Sequence, residues 1–186
     1  RNATDLRGHG VKSAIHIGDG ADCDGINLAA TSGISNVHLD NFLMHGNKTN
    51  QTDTAKFLIH LDSGGDPAAI PRNQLSRLYL VNGKGTGLKM GSYTRGSQIR
   101  GVQVYGCDEY NFIQGGADSH YSMCESGQAG KDGFWFAVGG CMIDNLKSWY
   151  SGRLTAGSAG FLFRNSPRII GSALWAQENS GPGFSL

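Results

Sequence analysis

Leu75-Ser76-Arg77-Leu78-Tyr79-Leu80, then Gly87-Leu88-Lys89-Met90, then Ile99-Arg100-Gly101-Val102-Gln103-Val104 shows one apolar hexapeptide returning after a glycine-led triplet. The hexapeptide pattern returns at Ile143-x-x-Leu146 and Ile170-x-x-Ala173-x-Trp175, with a degenerate member at Tyr121-Ser122-Met123. The triplet returns as Phe112-Ile113-Gln114, Phe134-Trp135-Phe136, Phe161-Leu162-Phe163 and Phe184-Ser185-Leu186. Successive triplets start 24, 22, 27 and 23 residues apart. Spacing in that range marks a stack of coils, because each repeat buries its apolar face only against its neighbours. Alternation with period 2 makes each run a strand. Equivalent strands must run parallel, since the chain completes a circuit between them. The expected fold is therefore all-β, a parallel β-helix of about six to seven coils. A helical fold would place many of the 29 glycines in helix interiors, at about 1 kcal/mol each. No leucine-rich consensus recurs.

Working outward, Ile15-His16-Ile17, Ile26-Asn27-Leu28 and Ile59-His60-Leu61 resemble triplets, and Ile34-x-x-Val37-x-Leu39 resembles the hexapeptide. Polar, turn-rich stretches near residues 47–55 and 63–73 read as loops leaving the stack. One domain spans residues 1–186. Arg1 begins abruptly and Leu186 falls inside the last triplet, so we expect a segment of a longer protein without end caps. The net charge of +1, without a Lys/Arg cluster, argues against a nucleic-acid partner. No apolar run is long enough to insert into a membrane. Cys23, Cys107, Cys124 and Cys141 show no Cys-x-x-Cys pairing and read as small buried fillers.

Leu6-Arg7-Gly8-His9-Gly10, Ser13-Ala14-Ile15-His16-Ile17 and the run from Ile34 to Asn47 resemble the opening coils of the pectate-lyase-like superfamily. The likeness is greatest to the branch of phage tailspikes and polysaccharide depolymerases. That resemblance implies a right-handed solenoid, a virion-tail or extracellular location, a homotrimer and a glycan partner such as a bacterial surface polysaccharide, acidic or neutral. It does not imply a chemistry, because the superfamily includes hydrolases, lyases, epimerases and non-catalytic stalks. The paired-aspartate motif of polygalacturonase-type hydrolases is absent.

Aligning the coils places Val37, Leu78, Val102, Tyr121, Leu146 and Ala173 in one inward row. Leu39, Leu80, Val104, Met123, Ser148 and Trp175 form a second. One outward row then reads Tyr105, Cys124, Trp149, and the next Gly106, Glu125, Tyr150. Glu125 is thereby expected beside Tyr150, flanked by Tyr105 and Trp149, with Asp108 and Glu109 nearby. Aromatic faces stack on sugar rings, and two carboxylates supply acid and base or nucleophile. Their separation, about 5–5.5 Å against 6.5–9.5 Å, sets retention or inversion. A solvated polar turn with capping carboxylates is the structural alternative. A lyase would instead need a base and a cation, for which His120, Tyr150, Lys147 and Arg153 are the candidates. Asp19, Asp22 and Asp24 offer oxygens to Ca²⁺ but without EF-hand spacing, and an acidic turn accounts for them better, so no cofactor or metal site is assigned. Ile113, Trp135 and Leu162 form an outward apolar run that marks an interface or a cover. Three functions compete: a glycan-cleaving hydrolase or lyase, a non-catalytic shaft or glycan-binding stalk, and a secreted lyase or epimerase.

Overall fold

The structure, a computed structural model, describes residues 4–29, 36–62, 72–166 and 168–186. Two parallel sheets wind around one core. The ten-stranded sheet contains β1 (Thr4–His16), β3 (Val37–His45), β5 (Gln74–Ser76), β6 (Tyr79–Val81), β8 (Gln98–Arg100), β9 (Gln103–Tyr105), β11 (His120–Ser122), β12 (Glu125–Gly127), β14 (Met142–Trp149) and β16 (Ile170–Gln177). The seven-stranded sheet contains β2 (Ile26–Ala29), β4 (Phe57–Asp62), β7 (Thr86–Met90), β10 (Phe112–Gln114), β13 (Phe134–Phe136), β15 (Phe161–Phe163) and β17 (Phe184–Ser185). Every coil adds one strand path to each sheet. The result is a parallel β-helix of seven coils, consistent with the right-handed solenoid expected.

Each coil crosses the larger sheet as two short segments joined by a residue in the left-handed region, and leaves it through a second. The first bend falls at Asn41, Arg77, Gly101, Met123, Asn145 and Ala173, and the second at Asn82, Gly106, Gln128, Tyr150 and Glu178. Left-handed backbone costs a non-glycine residue about 1–2 kcal/mol. The ladder offsets that cost, because the amides at the bends stay paired with the next coil. Arg77 N–H donates to Arg100 O at 3.0 Å, Met123 to Asp144 O at 3.0 Å, Asn82 to Tyr105 O at 2.9 Å and Gln128 to Trp149 O at 2.9 Å.

Inside, like packs on like. Leu39, Leu75, Ile99, Tyr121 and Ile143 form one buried row, and Leu78, Val102, Cys124 and Leu146 the next. Phe112, Phe134, Phe161 and Phe184 stack nearly parallel at centroid spacings of 4.4, 5.0 and 5.1 Å, close to the interstrand distance that sets them. The buried Tyr121 hydroxyl donates to Gln114 Oε1, so the polar tip among apolar neighbours is not left unpaired.

The register differs from the alignment in three coils. Tyr121 stacks on Ile99 rather than Val102, which puts Cys124 inside and turns Glu125 to face Gln103 and Lys147 instead of Tyr150. In the last coil Leu174, not Ala173, lies opposite Leu146. Ala173 occupies the bend, and Trp175 points outward at 62% exposure. In the coil of β3 Leu39 stacks on Leu75 and Met44 on Leu80. Ile15-His16-Ile17 is also no triplet, since Ile15 and His16 belong to β1 and lie opposite Met44 and His45. Cys107, Cys124 and Cys141 are buried fillers, but Cys23 is exposed. The loop near 47–55 holds a short 3-10 turn, Lys48–Asn50. Of the one near 63–73, residues 63–71 lie outside the described residues, as does Ile34.

The first bend is clasped by an ion pair. Asp40, 6% exposed, accepts hydrogen bonds from Ser76 Oγ at 2.6 Å, from Arg77 Nε at 3.0 Å and from Arg77 Nη2. The Arg77 hydrogen bond is the largest influence holding its carboxyl below the usual carboxylate range, against the opposing effect of burial. A depressed folded-state pKa gives stability that is complete above the unfolded value of about 3.9 and is lost as pH falls through the folded value. Hydrogen bonds to a charged group contribute about 1.5–3 kcal/mol, and the lower end applies because Arg77 is 68% exposed. We expect Asp40→Asn to lower the unfolding free energy obtained from urea denaturation at neutral pH by that amount. The variant should also lose less stability than the parent when both are taken from pH 7 to about pH 3. Equal acid sensitivity in the two proteins would contradict this assignment.

Candidate functional site

On the outer face of the larger sheet, pairing lines up Tyr79, Gln103, Glu125, Lys147 and Trp175 in one row across five coils. Two residues along, Val81, Tyr105, Gly127, Trp149 and Gln177 form a second row. Tyr79 meets Tyr105 at 5.3 Å, Tyr105 meets Trp149 at 5.8 Å, and Trp149 meets Tyr150 edge-on at 5.4 Å. Tyr105 and Trp149 are two coils apart, a span of about 9.6 Å by strand spacing. Their rings meet because the intervening residue is glycine. A Cβ at Gly127 would lie 2.5 Å from Tyr105 Cδ1 and 2.7 Å from Trp149 Cε2 and Cζ2.

Glu125 stands at the centre of this face. Its Oε1 accepts the Trp149 indole N–H at 2.7 Å, and Lys147 Nζ lies 3.9 Å from the same oxygen. The Lys147 ammonium also sits 5.9 Å from the ring centroids of Trp149 and Trp175, within cation–π range. Burial, with the Glu125 charge adding to it, pushes the Tyr105 phenol well above its ordinary range, so it remains a hydroxyl donor.

Beyond the second bend lies a charged cluster. Asp108, 14% exposed, accepts hydrogen bonds from Lys48 Nζ at 3.3 Å, Lys84 Nζ at 3.3 Å and Arg153 Nη2 at 2.6 Å. Burial alone raises the Asp108 carboxyl, but Arg153, Lys48 and Lys84 overcome it and hold it low. Lys48 is delivered by the 3-10 turn and also donates to Gly106 O at 2.6 Å. Glu109 pairs with Lys131, whose ammonium lies 5.4 Å from the Tyr110 ring centroid. Next to Arg153 an open groove is lined by Gln128, Tyr150, Ser151, Glu178 and Ser180. Hydrogen bonding to Glu178 raises the Tyr150 phenol and lowers the Glu178 carboxyl.

Of the residues singled out from sequence, the face thus gathers Glu125, Tyr105, Trp149 and Lys147, with Tyr150 at its edge. Asp108 and Arg153 join a separate cluster and contact each other, while Glu109 is tied to Lys131. His120 is exposed on β11, beside Gln98 and Met142 and on the far side of the Met123 bend. Asp19, Asp22 and Asp24 bind loop groups. Asp19 accepts the Asn47 and Asn50 amides, Asp22 the Thr52 and Asp53 backbone, and Asp24 the Phe57 N–H. Among the described residues, no group of three or more His, Cys, Asp or Glu side chains converges to hold a metal ion. Trp135 is partly covered by Tyr110 from its own chain, at 5.0 Å. Sequence reasoning missed Lys48 and Lys84, whose reach across coils leaves no local pattern, and misassigned Trp175, whose position follows only from the corrected register.

No protein-family model matches the chain, and no curated protein matches it. Among solved structures it is similar to the A-module of the mannuronan C-5 epimerase AlgE4 of Azotobacter vinelandii. The identity is 13% and the TM-score 0.43, over 98% of this chain and 82% of that one.

Because Gly127 lets the two rings close, Gly127→Ala should push Tyr105 and Trp149 apart and break the indole–Glu125 hydrogen bond. We expect a loss of about 1–3 kcal/mol from overpacking and a shifted tryptophan emission. An unchanged spectrum together with an unchanged melting temperature would show that the rings do not meet over this residue.

Proposed function

We propose that this β-helix binds an extended polysaccharide along its outer face and cleaves it, with Glu125 as the proton-transferring group. The observation that carries the reading is the unbroken ring row Tyr79–Tyr105–Trp149–Tyr150 with a carboxylate and an ammonium set into it. Sugar rings present apolar C–H faces to such aromatics, while their hydroxyls and glycosidic oxygens meet Glu125, Gln103 and Lys147. Successive coils repeat the surface, which suits a polymer. A hydrolase requires a second carboxylate across the scissile bond, and an eliminase requires a base opposite a cation, for which Lys147 and Arg153 are available. A secreted or tail-borne depolymerase, trimeric by the resemblance of its opening coils, is the setting we infer.

A binding-only stalk is the second reading. The engagement of Asp108 with three cations and of Glu109 with Lys131 favours it, since neither carboxylate is free to serve as Glu125's partner as it stands.

Affinity electrophoresis and product assays on a panel of capsular and lipopolysaccharide glycans separate these readings, with reducing ends reporting hydrolysis and unsaturated ends reporting elimination. Trp149→Ala should weaken retention by about 2 kcal/mol, ~30-fold, as loss of an aromatic anchor does. Glu125→Gln should keep retention and lower turnover by about 10²–10⁴. Retention with no product from the parent protein would leave the stalk, and no retention of any glycan would end both readings.

A further inference from the structure

The Asp108 cluster carries more positive charge than its fold requires. Lys48, Lys84 and Arg153 converge on one carboxylate from three different turns. The three cations are only 21%, 29% and 36% exposed, so solvent screens their mutual repulsion less than on an open surface. Asp108 can neutralise one of them. Glu178 lines the adjoining groove but is engaged by Tyr150, and Glu109 is engaged by Lys131. Hydrogen-bond capacity is also in surplus. Among the described residues Lys84 makes one hydrogen bond and Arg153 uses Nη2 and Nε, the latter to Gln128 O at 3.4 Å, so several N–H groups of this half-buried cluster find no acceptor there.

We infer that Asp108 is the organiser of an anion subsite rather than an acid catalyst: one of its oxygens holds Arg153 on the wall of the Tyr150–Glu178 groove and the other holds Lys84, and the two cations take a carboxylate or sulfate substituent of a bound glycan. Building on the glycan reading, this makes the substrate class anionic. Geometry supports it in two ways. Arg153 lines the groove that begins at Tyr150, the last ring of the aromatic row, so a chain stacked on that row passes the cluster. A guanidinium presents paired N–H groups that match the oxygens of either anion. The rival is a plain cross-link, in which the cations serve only to tie the turns together.

Two measurements on the whole chain test it. The first needs no glycan: NMR amide shifts of Lys84, Asp108 and Arg153 are followed during titration with sodium sulfate, against sodium chloride at equal ionic strength. We expect sulfate-specific shifts that vanish in Lys84→Gln and Arg153→Gln and persist in Lys84→Arg. The second compares calorimetric affinities for oligogalacturonate, chondroitin sulfate oligosaccharides and neutral dextran oligosaccharides. We expect at least one anionic series to bind about 10-fold tighter than the neutral one at low salt, with the advantage lost in Lys84→Gln and at high salt. Preference for oligogalacturonate would identify the substituent as carboxylate, and preference for the sulfated series as sulfate. Absence of sulfate-specific shifts, or shifts that survive both Gln variants, would overturn the subsite. Lower melting temperatures in those variants with an unchanged anion response would leave the cross-link alone. Glycan binding without anionic preference refutes the inference and keeps the glycan reading, whereas sulfate-specific shifts without binding of any glycan keep the subsite and refute that reading.

Discussion

Each coil must pair in register with the next through two left-handed bends, and the outer surface follows from that constraint. A straight strand would carry the chain past the core, so the path turns, and it turns where the amide can still reach the carbonyl of the coil above. Arg77, Gly101 and Met123 do so at the first bend, and Asn82, Gly106 and Gln128 at the second. With bends at equivalent places, side chains stack on their equivalents from coil to coil. Phenylalanines then lie on phenylalanines inside, and rings, carboxylates and amines align outside. Gly127 is the exception that shapes the site, because removing one side chain from the stack lets rings two coils apart touch.

The loops obey the same bookkeeping of polar groups. Asp19, Asp22 and Asp24 carry the oxygen density of a cation loop, yet their oxygens accept hydrogen bonds from Asn47, Asn50, Thr52, Asp53 and Phe57. Those bonds fix the segment that carries Lys48, and Lys48 then reaches Gly106 O and Asp108. An acidic turn near the start of the chain thus determines where a cation stands three coils further along.

The fold was legible because its signal is periodic: apolar alternation and glycine-led triplets survive small errors of phase. The site was less legible because it depends on phase. Where the bends are Asn82, Gly101 and Gly106, residues that tolerate left-handed backbone, Leu78, Leu80, Val102 and Val104 align in sequence as they do in space. Where they are Met123 and Ala173, nothing local announces the turn, and the alignment slipped; it also slipped in the β3 coil, where the bend at Asn41 does permit left-handed backbone but the two segments are longer than in later coils. A slip of one residue inverts a strand's faces, which is how Trp175 was read as core. Glu125 stayed outward for a different reason: Cys124 is small enough to fill the interior position that the alignment had assigned to Tyr121. Lys48 and Lys84 escaped notice because a long side chain can act far from its backbone.

The two charged centres are built differently, and this bears on what each can do. Glu125, Tyr105 and Trp149 sit on strands laddered to neighbours on both sides, and their orientation is fixed by packing before any ligand arrives. Preorganisation of that kind suits a group that must meet a reacting atom within a narrow tolerance. Lys48, Lys84 and Arg153 come from turns and present flexible stems, so they can follow a charged substituent whose position varies along a polymer. Under the proposed glycan reading, the rigid carboxylate among rings and the adjustable cations beyond the second bend would divide the work, the strands setting the register of a sugar chain and the turns responding to its charge.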